Sequence, residues 1–195
     1  NRSPAKVQSA LLEAMAEKQV TIGEESYPLE KAFIVLATQN PVEQEGTYPL
    51  PEAQLDRFMM KIVTNYPSFD AELRVLEPMT KQSALQAMLE FDTIEDIRDE
   101  VDRIHVSDIL KKSIVSICHS TRPGNQKFDN KYKDVILHGV SPRATIWLYR
   151  LAKVNAFFEG RDHVLPDDIM YSINDILGHR IALTYDAKIE GINLN

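Results

Sequence analysis

The chain has 195 residues, of which 44% are hydrophobic and 26% are charged, so the composition predicts a packed globular protein with one large domain or two small ones. The formal net charge is -7, and no basic stripe that could neutralise backbone phosphates stands out. Both observations argue against a nucleic-acid-binding surface. The single cysteine, Cys118, excludes an internal disulfide and suits a reducing compartment, so we expect a cytoplasmic protein, and the apolar runs are too short for a membrane span.

The first third of the chain combines helical and strand patterns. Ser3-Pro4 is typical of a helix start, and a helically spaced apolar series follows it. Residues 19–29 predict a short β-hairpin. The apolar runs 33–38 and 58–63 predict strands that are buried on both faces, as in a parallel sheet, and residues 52–57 predict a short helix. The abrupt first residues lead us to expect that a preceding segment belongs to the protein.

The rest of the chain carries helical spacing rather than strand alternation. Thr93 begins a sequence that resembles a capping box and predicts a charged helix. Ser141 before a proline predicts the start of a long helix, and residues 165–183 predict the last one. We therefore divide the chain into an α/β part, residues 1–67, and a helical part, residues 68–195.

Arg143 stands out in the helical part because it lies in the first turn of a predicted helix, directly after Ser141 and Pro142. The positive pole of the helix dipole lies at this end, so a cation there is unfavourable unless an anion accompanies it. A bound phosphate would be favoured by both the dipole and the guanidinium. A nearby carboxylate of the protein would also pair with Arg143, and the sequence leaves both interpretations open.

Two residues of the α/β part are candidates for catalysis. Asn40 follows the apolar run 33–38, and the carboxyl end of a parallel strand is a common ligand site, although a plain Asn-Pro turn explains the same residue. Arg57 precedes the second run and could serve a neighbouring subunit as an arginine finger that stabilises a transferring phosphoryl group. The alternative for Arg57 is an ordinary surface ion pair with Asp56 or Glu52.

Metal-binding and phosphate-loop motifs are missing from the sequence. None of the five histidines has the spacing of a metal site with cysteine, and we interpret Cys118 and His119 as structural. No G-x-x-x-x-G-K-[ST] loop occurs, and no apolar strand ends in the Asp-Glu pair that would hold magnesium. We therefore expect this chain alone to bind nucleotide weakly or not at all.

Taken together, these segments resemble the MoxR family of AAA+ ATPases over almost the whole chain. Residues 44–58, QEGTYPLPEAQLDRF, are nearly the family consensus and are far more specific than any single motif. Residues 3–22 are similar to the family's helix and hairpin before sensor 1. Residues 37–41, ATQNP, resemble the end of the sensor 1 strand, and residues 141–144, SPRA, resemble the sensor 2 motif of the lid.

This resemblance implies a truncated AAA+ αβα core over residues 1–67, followed by an all-α lid over residues 68–195. The Walker A and Walker B motifs would precede this sequence. Asn40 would be the sensor 1 residue that positions the attacking water. Arg57 would be the arginine finger, and Arg143 would be the sensor 2 residue that contacts the phosphates of ATP.

The resemblance also implies cofactors and partners. ATP and Mg²⁺ would be bound mainly by groups upstream of this chain, and subunits would associate through Arg57 into a ring, expected to be a hexamer. Hydrolysis would remodel or assemble other proteins, with von Willebrand factor A domain proteins as partners. One alternative is a non-hydrolysing helical interaction module in which Arg57 and Arg143 serve protein contacts only. A DNA-remodelling ATPase is a second alternative, but it should carry a basic patch, which is not evident here.

Overall fold

The computed structural model describes residues 5–30, 33–39, 50–76, 86–124 and 134–192. Over these ranges the helices are α1 Ala5–Glu17, α2 Glu52–Leu55, α3 Phe69–Val75, α4 Phe91–Arg103, α5 Asp108–Ser120, α6 Pro142–Phe158, α7 Pro166–Tyr171, α8 Ile173–Leu177 and α9 Tyr185–Ile189. The strands are β1 Gln19–Ile22, β2 Glu25–Pro28, β3 Ile136–His138 and β4 Ala182–Leu183. They form two separate antiparallel sheets, β1 with β2 and β3 with β4.

The predicted helix and hairpin at the start of the chain are confirmed. Strands β1 and β2 pair in register from Gln19 opposite Pro28 to Ile22 opposite Glu25. Gly23 sits in the two-residue turn with a φ of 67°, a left-handed conformation that glycine adopts without strain. The position of Gly23 therefore explains where the chain reverses direction between β1 and β2.

The two buried strands predicted over residues 33–38 and 58–63 are not present as strands. Neither run belongs to a ladder, and its apolar side chains are largely exposed, among them Ile34, Leu36 and Ile62. A strand is stable only when its backbone groups pair with a neighbouring strand. No such neighbour lies beside either run in the ranges that the structure describes, so the apolar pattern alone does not produce a sheet.

The hydrophobic core lies in the helical part and is organised by α6. Four residues on one face of this helix are completely buried, namely Ala144, Leu148, Ala152 and Ala156. Their spacing of four places them along one stripe, and the small alanines allow neighbouring helices to approach closely. The stripe packs with buried residues of α5, α7 and α8, which include Ile114, Cys118, Ile169 and Ile176.

Three details of the helical part differ from the sequence prediction. The charged helix begins at Phe91 after Glu90, so Thr93 lies inside it rather than at its cap, and Asp92 supplies the favourable charge in the first turn. The part is not all-α, because β3 and β4 pair with each other. The helix predicted over 165–183 breaks at Ser172, whose hydroxyl accepts a hydrogen bond from the Asn155 side chain at 2.9 Å.

Candidate functional site

The start of α6 is fixed by a close contact with the end of α5. Val140 N donates to the Thr121 hydroxyl at 3.0 Å, and that hydroxyl donates to Cys118 O at 2.8 Å. A Cβ added at Gly139 would lie 2.3 Å from Thr121 O, so only glycine fits there. This packing fixes the position of Ser141, the residue that caps α6.

Ser141 joins the start of α6 to Asp56. Its hydroxyl oxygen accepts a hydrogen bond from Arg143 N at 3.1 Å, which caps the helix as the sequence predicted. The same hydroxyl lies 2.9 Å from Asp56 Oδ1 and 2.8 Å from Asp56 Oδ2, so its proton is shared by that carboxylate. A residue next to the candidate arginine finger is thus connected to the first turn that carries Arg143.

Arg143 forms an ion pair with Asp56 in this structure. Its Nη1 lies 3.1 Å from Asp56 Oδ2, while 51% of the Arg143 side chain remains exposed. This contact is the surface carboxylate pair that the sequence left open as one interpretation. The exposed guanidinium at a helix N-terminus also retains the charge and position that suit a phosphate oxygen, so the two interpretations are compatible.

Arg180 was not among the predicted site residues, yet it makes the most extensive contacts at the site. Its side chain is only 1% exposed, and its Nε donates to Asp56 Oδ1 at 2.9 Å. Its Nη atoms donate to Asp56 O at 3.0 Å, to Met59 O at 3.1 Å and to Phe58 O. Arg180 therefore fixes the backbone on both sides of Arg57.

The Asp56 carboxylate is stabilised in its charged form. Burial alone would raise the pKa of Asp56, but hydrogen bonds from Ser141, Arg143 and Arg180 outweigh that effect and hold the pKa below its ordinary value. Burial lowers the pKa of Arg180, and the Asp56 carboxylate counteracts this. Arginine remains protonated in proteins, so the site contains one carboxylate and two guanidinium groups at neutral pH.

His179 adds a second connection to the same turn. Its Nε2 lies 3.3 Å from Phe58 O, and its Nδ1 lies 3.1 Å from Asp175 O. Burial lowers the pKa of His179, and the neighbouring Arg180 lowers it further. A neutral imidazole carries one N–H, so it can donate to only one of these carbonyls at a time. Lys61 N also donates to Asp175 O at 2.9 Å, which attaches the chain after the turn to α8.

The Arg57 side chain is half-buried and makes no hydrogen bond or ion pair within the ranges that the structure describes. Asp56, the partner considered for it, is engaged by Arg143 and Arg180 instead. Asp56 therefore links the two arginines, because it precedes Arg57 in the chain and forms an ion pair with Arg143. Asn40, the third candidate, lies outside the described residues.

The described residues give no support for a cysteine nucleophile or a metal site. Cys118 is fully buried, and burial raises the pKa of its thiol, so it has the character of a core residue rather than a nucleophile. In the described part of the chain no group of three or more histidine, cysteine, aspartate or glutamate residues could hold a metal ion. No helix there is long and apolar enough to cross a membrane.

Two family models match the chain. The model of the ATPase family associated with various cellular activities (AAA) matches residues 1–60. The model of the AAA lid domain matches residues 133–194. Asp56 and Arg57 fall in the first region and Arg143 and Arg180 in the second, so the contacts described above join an AAA ATPase region to an AAA lid.

Curated relatives and a solved structure match almost the whole chain. The chaperone MoxR1 of Mycobacterium tuberculosis is 42% identical over 99% of this chain and 52% of its own length. The uncharacterised protein YeaC of Bacillus subtilis is 45% identical over 98% of this chain and 58% of its own length. A crystal structure of a Cytophaga hutchinsonii protein assigned as an ATPase is 51% identical, with a TM-score of 0.92, over 99% of this chain and 59% of that chain. This chain thus spans between half and three fifths of the length of each.

Proposed function

We propose, since this chain belongs to the MoxR family of AAA+ ATPases, that it forms part of an ATP-hydrolysing machine that remodels or assembles other proteins in a chaperone-like manner. Residues 1–67 would belong to the ATPase core, and residues 68–195 would form the lid. The extents of the two matched family models, 1–60 and 133–194, support this division. The chaperone name of the Mycobacterium tuberculosis relative supports the kind of work done.

Arg143 would contact the phosphates of ATP and report nucleotide binding to the lid. Its guanidinium is exposed at the N-terminus of a 17-residue helix, where charge and dipole both favour an anion. Asn40 would position the attacking water. Mg²⁺ would neutralise charge on the phosphates and would be bound mainly by groups upstream of this chain. We expect this chain alone to bind ATP weakly, and nanomolar binding by it in calorimetry would contradict that expectation.

Arg57 would complete the nucleotide site of an adjacent subunit in a ring, which we propose to be hexameric. The observation that carries this proposal is the turn over residues 56–59. Arg180 holds the backbone of this turn on both sides of Arg57, while the Arg57 side chain makes no hydrogen bond or ion pair in the described part of the chain. An arginine finger needs a rigid base and a guanidinium without a polar partner in its own subunit, and among the described residues Arg57 meets both conditions. A cytoplasmic location and von Willebrand factor A domain partners are proposed from the family resemblance alone.

The test is steady-state ATP hydrolysis by the full-length protein, with the Kd for ATP measured alongside. We expect Arg57→Ala to lower kcat by about 10³-fold or more with little change in the Kd, because the finger acts on the transition state. Arg143→Ala should instead weaken ATP binding. Arg74→Ala, which changes an exposed arginine of α3, is the matched control and should leave both quantities unchanged.

Mixing Arg57→Ala with Arg143→Ala, at an ATP concentration too low to saturate Arg143→Ala, distinguishes action between subunits from action within one. An Arg143→Ala subunit keeps its finger, so it should restore hydrolysis at the nucleotide site of an adjacent Arg57→Ala subunit. Recovery of activity in the mixture supports the ring. Hydrolysis by Arg57→Ala at the wild-type rate would contradict the finger assignment. If the wild-type protein binds no ATP, the interaction-module alternative becomes the better interpretation.

A further inference from the structure

Asp56 has two arginine partners whose surroundings differ sharply. Arg180 is buried and holds the turn at several points, since it also donates to the backbone carbonyls of Asp56 and Met59 at 3.0 and 3.1 Å. Arg143 is half-exposed and holds Asp56 through one 3.1 Å hydrogen bond. One cation is therefore a fixed part of the turn, and the other is held loosely.

The Arg143–Asp56 contact is weak enough to be exchanged. Arg143 is half-exposed and is joined to Asp56 by a single hydrogen bond. We therefore expect the pair to favour its own geometry by only about 1.5- to 5-fold in equilibrium terms, as solvent-accessible ion pairs do. A nucleotide phosphate carries more negative charge than a carboxylate and can accept several hydrogen bonds from a guanidinium. After Arg143 leaves, the Ser141 hydroxyl and Arg180 still satisfy the Asp56 carboxylate, so exchange does not strand a buried charge.

The position of Asp56 in the chain gives this exchange a consequence. Asp56 directly precedes Arg57, and its carboxylate is the point where the lid helix α6 contacts the turn that carries Arg57. Loss of the Arg143 contact removes one of the two cations that anchor this turn to the lid. Binding of ATP in a subunit's own site would thus alter the placement of Arg57, the residue proposed to act on the neighbouring subunit.

We propose that Asp56 is a positioning residue that competes with nucleotide phosphate for the Arg143 guanidinium, and that this exchange couples the occupancy of a subunit's own site to the placement of its Arg57. The inference rests on the proposed function, because it takes Arg143 as a phosphate contact. It adds a specific role for the carboxylate beside the finger. The proposal also predicts the sign of the effect on ATP affinity. If Asp56 competes for Arg143, its carboxylate weakens ATP binding, whereas a carboxylate that held Arg143 ready for ATP would strengthen it.

The first test compares the ATP affinity of the full-length protein with that of its Asp56→Asn variant, an isosteric change that removes the charge. We expect ATP to bind about 1.5- to 5-fold more tightly to Asp56→Asn, because Arg143 no longer has a competing anion. In an Arg143→Ala background, Asp56→Asn should leave ATP affinity unchanged. Weaker binding by Asp56→Asn, or an equal effect in both backgrounds, overturns the proposal.

A second measurement uses proteins that retain Asp56, in case Asp56→Asn fails to fold. Hydrogen–deuterium exchange of peptides over residues 52–61 is compared with and without a non-hydrolysable ATP analogue. The wild-type protein should exchange faster at these amides when the analogue is bound, and Arg143→Ala should show no such change. An unchanged exchange rate in the wild type, at saturating analogue, overturns the coupling.

The outcomes also separate this inference from the proposed function. Suppose that the wild-type protein binds and hydrolyses ATP, that Asp56→Asn binds ATP with the wild-type affinity, and that the ATP analogue does not change hydrogen exchange over residues 52–61. In that case only the inference fails. If the wild-type protein binds no ATP, the proposed function fails, and the competition at Arg143 fails with it.

Discussion

Arg180 Nε donates a hydrogen bond to Asp56 Oδ1 at 2.9 Å, although 124 residues separate them in the chain. The contact joins the turn that follows α8 to the C-cap residue of α2, and the Arg180 side chain is almost completely buried there. Since the same guanidinium also binds three backbone carbonyls of residues 56–59, it serves as the main attachment between the two regions.

Replacing Arg180 should therefore destabilise the protein strongly. Arg180→Met removes the buried partner of Asp56 and leaves carbonyl groups of the turn without donors, which we expect to cost about 3 kcal/mol. Arg180→Lys keeps the charge but not the fork of donors, so its cost should be intermediate. Urea unfolding followed by the fluorescence of Trp147, the single tryptophan of the chain, measures both. Arg74→Met is the exposed control, and an equal midpoint for Arg180→Met and Arg74→Met would contradict the assignment.

A second ion pair, whose carboxylate is buried, lies wholly within the lid. Arg161 Nη1 and Nη2 donate to the two oxygens of Asp168 at 2.8 and 2.6 Å, and Asp168 is only 5% exposed. Asp168 Oδ2 also accepts from Leu165 N at 2.7 Å, so the carboxylate caps α7 as well. Arg161→Met would leave the buried Asp168 carboxylate without its cation, and we expect a clear loss of stability relative to an exposed pair.

The matched control for this pair is an exposed one. Lys111→Met breaks the 3.1 Å contact with Asp108 on the surface of α5 and should cost less than about 0.5 kcal/mol. The Arg161 hydrogen bond, despite burial, holds the pKa of Asp168 below its ordinary value. The stability from the pair is thus fully present above about pH 4 and is lost as the pH falls further, which acid titration of the wild type and Arg161→Met would measure. Equal acid sensitivity in the two proteins would argue against this account.

Local signals made much of the fold predictable. The Gly23 turn gave the hairpin, and Ser141 before Pro142 gave the start of α6, because both depend on residues close in sequence. The apolar runs 33–38 and 58–63 did not become strands, because a strand depends on a partner that composition does not reveal. The break at Ser172 lies where the Asn155 side chain of another helix donates a hydrogen bond, a contact that local sequence does not reveal.

The candidate site was predictable only in part. Arg143 stood out by its position at a helix start, and its alternative pairing with a carboxylate was foreseen, but the identity of that carboxylate was not. Asp56 was considered only as a partner for its neighbour Arg57. Arg180 was not among the predicted site residues, because its partner Asp56 lies 124 positions away in the chain and the sequence does not show that the two meet. An arginine among the apolar residues of a helical segment is the signal that could have drawn attention to it.

Gly139 should tolerate no side chain, for a steric rather than a conformational reason. A Cβ at this position would lie 2.3 Å from Thr121 O and 2.7 Å from Arg122 Cα, both backbone atoms that cannot rotate aside. Gly139→Ala must push α6 away from α5, and we expect a loss of about 2 kcal/mol from overpacking. The change should also shift Ser141 relative to Asp56 and so weaken the contact between lid and turn.

Gly160→Ala is the informative comparison for Gly139. Gly160 has a φ of 68° but open space around it, so alanine there costs only the backbone strain of about 1 kcal/mol. Urea unfolding of the two variants measures the stability difference. Hydrogen exchange of the α6 amides should rise in Gly139→Ala and stay unchanged in Gly160→Ala. A smaller loss for Gly139→Ala than for Gly160→Ala would contradict the close approach of α5 and α6.

His179 gives the attachment of the turn a pH dependence near neutrality. Burial and the charge of Arg180 lower its pKa in the folded state, so the unfolded chain binds the proton more readily than the folded protein does. Its contribution to stability is therefore fully present above the ordinary histidine pKa of about 6.5 and is lost as the pH falls from there toward the folded-state value. We expect the urea midpoint of the wild type to fall between pH 7 and pH 5, and that of His179→Gln to fall less. His138→Gln, at an exposed histidine of β3, is the control and should keep the wild-type slope. If His179→Gln kept the wild-type slope too, the loss of stability on acidification would have to arise at other groups, and His179 would be only a packing residue beside Phe58.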